Sequence, residues 1–122
     1  MKNLEPDLEL AARAARGDES AWWELVNSTS PRLFALLCYQ VERREDALDL
    51  LQETYVRAFR GLSTYRGEAP LAVWLRTIAL RLSIDWRRSW LRRLRRTVRL
   101  RESIPAAAEP ESDLRFDTER PR

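Results

Sequence analysis

Residues 45–59 read EDALDLLQETYVRAF, and their hydrophobic pattern indicates the fold class. Their apolar side chains recur at intervals of three and four residues, which is the spacing of one face of an α-helix. A helix over residues 45–62 is therefore predicted. The stripe expected to face the core comprises Leu48, Leu51, Tyr55, Phe59 and Leu62.

A second stripe of the same helix is polar, with one apolar exception. It comprises Asp49, Gln52, Glu53, Val56 and Arg60. From the residues alone, two interpretations stay open for this face. It is either ordinary solvated surface, with Glu53 and Arg57 paired one turn apart, or a surface that binds a partner.

Three further helices are predicted upstream of residue 43. The first spans residues 7–16 and ends at Gly17, since glycine suits the positive φ of a helix C-cap. Asp18 opens the second, and Ser30-Pro31 starts the third, with serine as N-cap and proline at the first helical position. The residues predicted to face the core are Leu8, Ala11, Ala12 and Ala15, then Trp22, Leu25 and Val26, then Leu33, Phe34, Leu37, Cys38 and Val41. Trp23 stays open between a core position and a free surface position that contacts another molecule.

Downstream, residues 63–69 are predicted to form a loop and Pro70 to begin the last long helix. One stripe of this helix is apolar and comprises Leu71, Trp74, Leu75, Ile78 and Leu82. A neighbouring stripe is cationic and comprises Arg81, Arg88, Arg92 and Arg95. These segments predict an all-α fold, a compact bundle of about four to five helices.

The length of 122 residues is enough for one domain with one modest core. We predict a helical domain over residues 1–101. Residues 102–122 are rich in Pro and carry six acids against three bases, so they are predicted to form a disordered acidic linker or tail.

Charge is distributed unevenly along the chain. Residues 1–54 hold eleven acids and six bases, whereas residues 76–101 hold ten arginines and Asp85 as their one acid. Arginine forks fit phosphate oxygens and stack on bases, so a nucleic acid is the favoured partner. The alternatives are a solvated helix face and, because Trp86, Trp90, Leu91 and Leu94 interleave with the arginines, a helix lying on a membrane surface.

The composition also argues against catalysis. The chain has no His, no nucleophile beside a plausible base and no Gly-rich phosphate loop, so we predict that it is not an enzyme and uses no cofactor or metal. Its single cysteine, Cys38, is expected to be buried and inert, which suits a reducing cytoplasm. We expect no signal peptide, because acidic residues lie near the N-terminus where a signal peptide has its apolar stretch. We expect no membrane insertion, because the apolar runs are too short to span a bilayer.

Several segments resemble the extracytoplasmic-function (ECF) sigma factors, within the region 2 domain of the bacterial sigma-70 family. GDESAW at residues 17–22 resembles their GDxxAF, and residues 45–59 resemble EDAEDLVQETFxRAW almost residue for residue. YRGEAP at residues 65–70, with WL at 74–75 and ID at 84–85, resembles FRGDAPFRAWLYRIARNxAID. The resemblance covers roughly residues 8–96.

The resemblance implies a subunit for transcription initiation. In that family the helix bearing Asp-Leu-x-Gln-Glu docks on a coiled coil of the largest subunit of core RNA polymerase, which implies core binding by the polar face. The implied core-binding residues are Asp49, Gln52, Glu53, Val56 and Arg60.

The resemblance also implies promoter binding. The family's loop before the last helix holds a base flipped out of the single-stranded, non-template −10 element. Extraction of a base costs a few kcal/mol, which loop contacts and stacking can offset. The implied DNA-contacting residues are Tyr65, Arg66, Gly67, Glu68, Arg76, Arg81, Arg87 and Arg88. Tyr65 can equally pack into the hydrophobic core instead of contacting DNA. Trp74 either packs in the core or inserts at the upstream edge of the melted DNA.

Two departures from the family pattern matter. Arg81 stands where the family usually has Asn, and it can read guanine or clamp phosphate, with Asp85 expected to orient Arg81 and Arg88. No helix-turn-helix region 4 for the −35 element follows the Pro-rich tail, so we expect the chain to bind polymerase but to select promoters poorly.

Further partners and other roles stay open from the sequence. An anti-sigma factor is an expected partner, and the location is expected to be the bacterial cytoplasm, with the nucleoid when polymerase is bound. The alternative functions are a protein-binding decoy or anti-sigma target, and a generic basic helical binder of nucleic acid.

Overall fold

The computed structural model describes residues 3–103, and within them the chain is helical with no strand. Helix α1 spans Glu5–Ala15, α2 spans Glu19–Gln40, α3 spans Arg44–Gly61 and α4 spans Leu71–Ser103, with a short 3₁₀ turn at Leu62–Thr64. The all-α prediction is confirmed. The predicted tail lies outside the described residues apart from Glu102 and Ser103, which end α4.

The turn between α1 and α2 follows the predicted capping chemistry. Gly17 has φ +99° and so reverses the chain, and the Asp18 N–H donates to the Arg13 carbonyl at 3.0 Å. The Asp18 carboxylate then accepts from the backbone N–H groups of Ser20 and Ala21 at 3.1 and 3.3 Å, and it pairs with Arg13 Nε at 3.0 Å. The hydrogen bond from Arg13 and those from Ala21 and Ser20 lower the pKa of Asp18 below its usual range.

Helix α2 corrects the prediction of two helices with a break at Ser30-Pro31. It is one helix of 22 residues with Pro31 inside it. The proline removes one backbone hydrogen bond and crowds the preceding turn, at a cost of about 3 kcal/mol. Packing offsets this cost, because the buried stripe continues across the proline through Leu25, Thr29, Leu33 and Leu37.

Helix α3 corrects the predicted core stripe by one residue position. The side chains buried on it are Ala47, Leu50, Thr54 and Ala58. By contrast Leu48 is 46% exposed and Phe59 is 57% exposed, while Leu51 and Tyr55 are half-buried. Small side chains let α3 approach its neighbours closely, and the Thr54 hydroxyl is satisfied in the core by donating to the Leu50 carbonyl at 2.7 Å.

The first helix shows a similar shift. Ala11 is buried as predicted, but the second buried residue is Ala14, whereas Leu8, Ala12 and Ala15 are exposed. In α2, Leu25 is fully buried and Trp22 and Val26 partly so, whereas Trp23 is 55% exposed.

The remaining predicted core positions are mostly confirmed. Leu33, Leu37, Val41, Leu62, Leu71, Leu75 and Leu82 are buried, and Phe34, Cys38, Trp74 and Ile78 are partly buried and packed against the core.

Helix α4 is tied to the rest of the domain at its first residue. The Leu71 N–H donates to Asp7 Oδ2 at 2.8 Å, although the two residues are 64 positions apart in sequence. A carboxylate at a helix N-terminus satisfies a free backbone donor and favours the helix dipole. Among residues 3–103, no helix is both long enough and apolar enough to cross a membrane.

Candidate binding surfaces on α3 and α4

The predicted polar face of α3 lies on the outside of the domain. Asp49, Gln52 and Arg60 are exposed, Val56 is 41% exposed, and Glu53 is half-exposed. Their helical spacing places them away from the buried stripe of α3. The structure therefore brings the five predicted residues together on one accessible surface.

One member of this face already has a partner. The Glu53 carboxylate pairs with Arg57 Nε at 3.1 Å, one helical turn away, which is the pair expected if this face were ordinary solvated surface. Exposed pairs of this kind stabilise a helix by only about 0.3–0.5 kcal/mol. Glu53 can therefore exchange Arg57 for a cation on another molecule at little cost.

An apolar groove adjoins the polar face, between α2 and α3. It has a volume of about 700 Å³, and its lining comprises Trp22, Trp23, Val26, Gln52, Tyr55, Val56, Phe59 and Arg60. The Trp22 ring packs edge-to-face against Tyr55 and Phe59, with centroids 6.0 and 5.3 Å apart. Tyr55 is held by a 2.6 Å hydrogen bond between its hydroxyl and that of Thr29. These contacts give the groove a firm aromatic floor.

The sequence did not predict the groove, because Trp22 and Phe59 were assigned to the core and Trp23 was left open between core and surface. A signal was available in the adjacent pair Trp22-Trp23. Neighbouring residues of a helix point about 100° apart, so when two consecutive large side chains flank one core, one of them lies closer to solvent than the other. An exposed Trp beside an exposed Phe marks a surface suited to a protein partner.

The loop between the 3₁₀ turn and α4 is held from inside by Tyr65. Its side chain is only 8% exposed, its ring packs against Trp74 with centroids 5.6 Å apart, and its hydroxyl donates to the Ala69 carbonyl. Burial raises the pKa of Tyr65, and the nearby Asp7 carboxylate adds to that rise. The burial of Tyr65 and its contact with Trp74 fit the interpretation of this residue as a core residue, and a role in DNA binding stays a prediction. Trp74 likewise packs in the core.

The rim of the same loop is more accessible. Arg66 and Glu68 are exposed. Gly67 has φ +76°, and a Cβ built there would lie 3.0 Å from the Leu8 side chain, so the loop is seated closely on α1. The loop therefore presents Arg66 and Glu68 on a backbone that is fixed by contacts on both sides.

The predicted DNA-contacting arginines of α4, Arg76, Arg81, Arg87 and Arg88, are all exposed. Arg87 Nη1 donates to Gln40 Oε1 at 3.1 Å, which holds that side chain against the end of α2. The expected ion pairs from Asp85 to Arg81 and Arg88 are wrong, since no such pair occurs among the described residues. Arg81 and Arg88 are thus not neutralised by Asp85.

Comparisons with known proteins agree with the motifs. The family model described as Sigma-70 region 2 matches residues 25–99. The RNA polymerase sigma-H factor of Pseudomonas aeruginosa is 32% identical over 80 residues, which cover 66% of this chain and 42% of that protein. The ECF RNA polymerase sigma-E factor of Haemophilus influenzae is 34% identical over 74 residues, covering 61% and 39%.

A longer match is to the ECF RNA polymerase sigma factor SigE of Mycolicibacterium smegmatis. It is 33% identical over 110 residues, covering 88% of this chain and 38% of that protein. The chain thus spans less than half the length of these three curated relatives.

Proposed function

Because the chain belongs to the sigma-70 region 2 family, we propose that it is a sigma factor domain for transcription initiation. In this proposal α3 binds core RNA polymerase, while the loop over residues 65–69 and the adjoining part of α4 bind and melt the promoter −10 element. The role is one of binding rather than of catalysis. The observation that carries it is the exposed Asp49, Gln52 and Glu53 face beside an apolar groove, inside the segment that the family model matches.

The two parts of the α3 surface suit a helical partner. Carboxylates and an amide accept hydrogen bonds from basic side chains, and these bonds strengthen when an interface excludes water. The groove beside them, with Trp23 and Phe59 exposed, offers a place for apolar side chains of the same partner. Such a pairing of an apolar anchor with a polar rim is typical of protein interfaces. The partner we propose is the coiled coil of the largest polymerase subunit.

The loop and α4 suit melted DNA. A flipped base needs a preformed pocket, and Tyr65 holds this loop in shape from below while Arg66 and Glu68 remain accessible at its rim. Arg76, Arg81, Arg87 and Arg88 supply cations for the phosphates of the displaced non-template strand. Arg81 has no carboxylate partner among the described residues, so its fork is available for guanine or for phosphate.

The first test is capture of core RNA polymerase by the full chain. We expect Asp49→Ala/Gln52→Ala to lose at least tenfold in affinity, because polar pairs in a desolvated interface contribute a few kcal/mol together. The control is Glu9→Ala/Glu24→Ala, which removes two exposed acids from α1 and α2 and should bind as the unchanged chain does. Circular dichroism verifies that each variant is folded.

The outcomes separate the candidate functions. Loss of binding in the α3 variant alone supports docking through this face. Failure of the folded, unchanged chain to bind polymerase would reject the sigma assignment and leave a decoy or a general nucleic-acid binder. Equal loss in both variants would point to overall charge rather than to this surface.

A further inference from the structure

The first turn of α1 contacts the loop over residues 65–69, which the proposed function assigns to the −10 element. Leu8 lies against Gly67, because a Cβ built on that glycine would lie 3.0 Å from the Leu8 side chain. The neighbouring Asp7 accepts a hydrogen bond at 2.8 Å from the Leu71 N–H, where the loop passes into α4. Two consecutive residues of α1 therefore hold the loop at its middle and at its end.

Asp7 also lies beside the start of the loop. Burial of the Tyr65 ring raises the pKa of its hydroxyl, and the Asp7 carboxylate adds to that rise. The same hydroxyl donates to the Ala69 carbonyl, across the loop. The buried side of the loop is thus closed by Tyr65 and by α1, whereas Arg66 and Glu68 lie on its exposed side.

Helix α1 is a firm support for these contacts, because another face of it is packed into the core. Ala11 and Ala14 are 3% and 1% exposed, and α1 also packs on the 3₁₀ turn at Leu62–Thr64 that leads into the loop. At its far end the Arg13 guanidinium pairs with the Asp18 carboxylate at 3.0 Å. A displacement of the first turn of α1 would therefore disturb the core as well.

We propose that Asp7 and Leu8 are positioning residues for promoter binding, which hold the loop over residues 65–69 in the shape that receives an unpaired base of the −10 element. The inference rests on the proposed function for the role of the loop. It adds α1, whose residues precede the segment that the family model matches, residues 25–99. A preformed loop avoids the entropy cost of ordering its backbone when the base binds.

The competing interpretation is that Asp7 only caps α4 and stabilises the domain. Asp18 allows the two interpretations to be separated, because it is a capping carboxylate at the opposite end of α1. It accepts from the N–H groups of Ser20 and Ala21 at 3.1 and 3.3 Å. Asp18→Ala should therefore lower the stability of the domain in a similar way, but it removes no contact with the loop.

Two measurements on the full chain test the proposal. Hydrogen exchange followed by mass spectrometry reports the opening of residues 65–71. Fluorescence anisotropy reports the affinity for a single-stranded oligonucleotide that the unchanged chain has selected from a random pool. The variants are Asp7→Ala, Asp7→Asn and Leu8→Ala. The controls are Glu9→Ala and Asp18→Ala, which each remove one negative charge as Asp7→Ala does, and circular dichroism verifies that every variant is folded.

We expect Asp7→Ala to lose most of the exchange protection over residues 65–71, since the loop then opens without unfolding of the domain. Its affinity for the selected strand should fall about tenfold, the loss expected when roughly a tenth of the molecules keep the loop in its binding shape. Removal of a negative charge by itself strengthens binding to DNA, so the expected direction is opposite to an effect of net charge.

The other variants refine this expectation. Asp7→Asn keeps a side-chain oxygen that accepts from the Leu71 N–H, so it should restore both the exchange protection and the affinity. Leu8→Ala should show a smaller loss of both, because it removes one contact with the loop and leaves the hydrogen bond of Asp7. The two controls should keep the loop protected and bind the strand at least as tightly as the unchanged chain does.

Several results would overturn the inference. They are unchanged exchange over residues 65–71 in Asp7→Ala, loss of that protection without loss of strand binding, equal losses of strand binding in Asp7→Ala and Asp18→Ala, or no recovery in Asp7→Asn. Failure of the unchanged chain to select any strand would count against the −10 assignment. Loss of loop protection in Asp7→Ala but not in Asp18→Ala would still support α1 as the element that holds the loop.

Discussion

Replacement of Leu50 or of Leu48 by Ala tests which face of α3 is buried. The two leucines are two positions apart in the middle of one helix, so the change in helix propensity is the same for both. Leu50 is 8% exposed, and its truncation leaves a cavity that should cost about 3 kcal/mol. Leu48 is 46% exposed, so roughly half of its apolar surface is at stake, which corresponds to about 1 kcal/mol.

The difference of about 2 kcal/mol is measurable by urea unfolding followed by circular dichroism. It corresponds to roughly 10 °C in melting temperature for a domain of this size. The stripe predicted from the sequence contains Leu48 and omits Leu50, so it predicts a larger loss of stability for Leu48→Ala than for Leu50→Ala. Equal losses, or a larger loss for Leu48→Ala, would refute the packing of α3 described above.

Two further predictions concern the ends of the helices. Asp7→Ala removes the carboxylate that accepts from the Leu71 N–H at 2.8 Å, so we expect the free energy of unfolding to fall by about 1–2 kcal/mol. The control Glu9→Ala removes an exposed acid from the same helix and should change the free energy of unfolding little. Comparable losses in the two variants would show that the Asp7 cap contributes nothing. The pKa of Asp18 is lowered on folding, so its contribution to stability is present above about pH 3.8 and is lost as pH falls through the lower pKa of the folded state. Asp18→Asn should flatten the stability profile in that acidic range, and an unchanged slope between pH 2 and 5 would contradict the assigned contacts.

Much of the candidate site could be predicted from the sequence because its residues lie on single helices. Asp49, Gln52 and Glu53 share a face through helical spacing alone, and so do Arg81 and Arg88. The groove could not be predicted in the same way. It forms only where Trp22 and Trp23 of α2 meet Phe59 of α3, and a contact between two helices depends on how each is rotated.

The role of Tyr65 shows the same limit. An aromatic residue in a loop can pack into the core or stack on a ligand, and the local sequence does not distinguish these two roles. The contact with the Trp74 ring and the hydrogen bond to the Ala69 carbonyl, which place Tyr65 in the interior, come only from the tertiary structure.

The all-α class, the approximate limits of α1 and α3, the start and charge of α4 and the family motifs could be predicted from the sequence, because these depend on local spacing and residue type. The continuity of α2 through Pro31 and the rotation of α3 towards Ala47, Leu50, Thr54 and Ala58 depend on packing between helices and are visible only in the folded domain. Periodicity gives the interval between core residues, but two stripes that are one residue apart can have the same interval, so periodicity alone does not identify which of them is buried. Close packing favours the stripe with small side chains, since it lets the helices approach, and the larger residues beside it line the groove between α2 and α3.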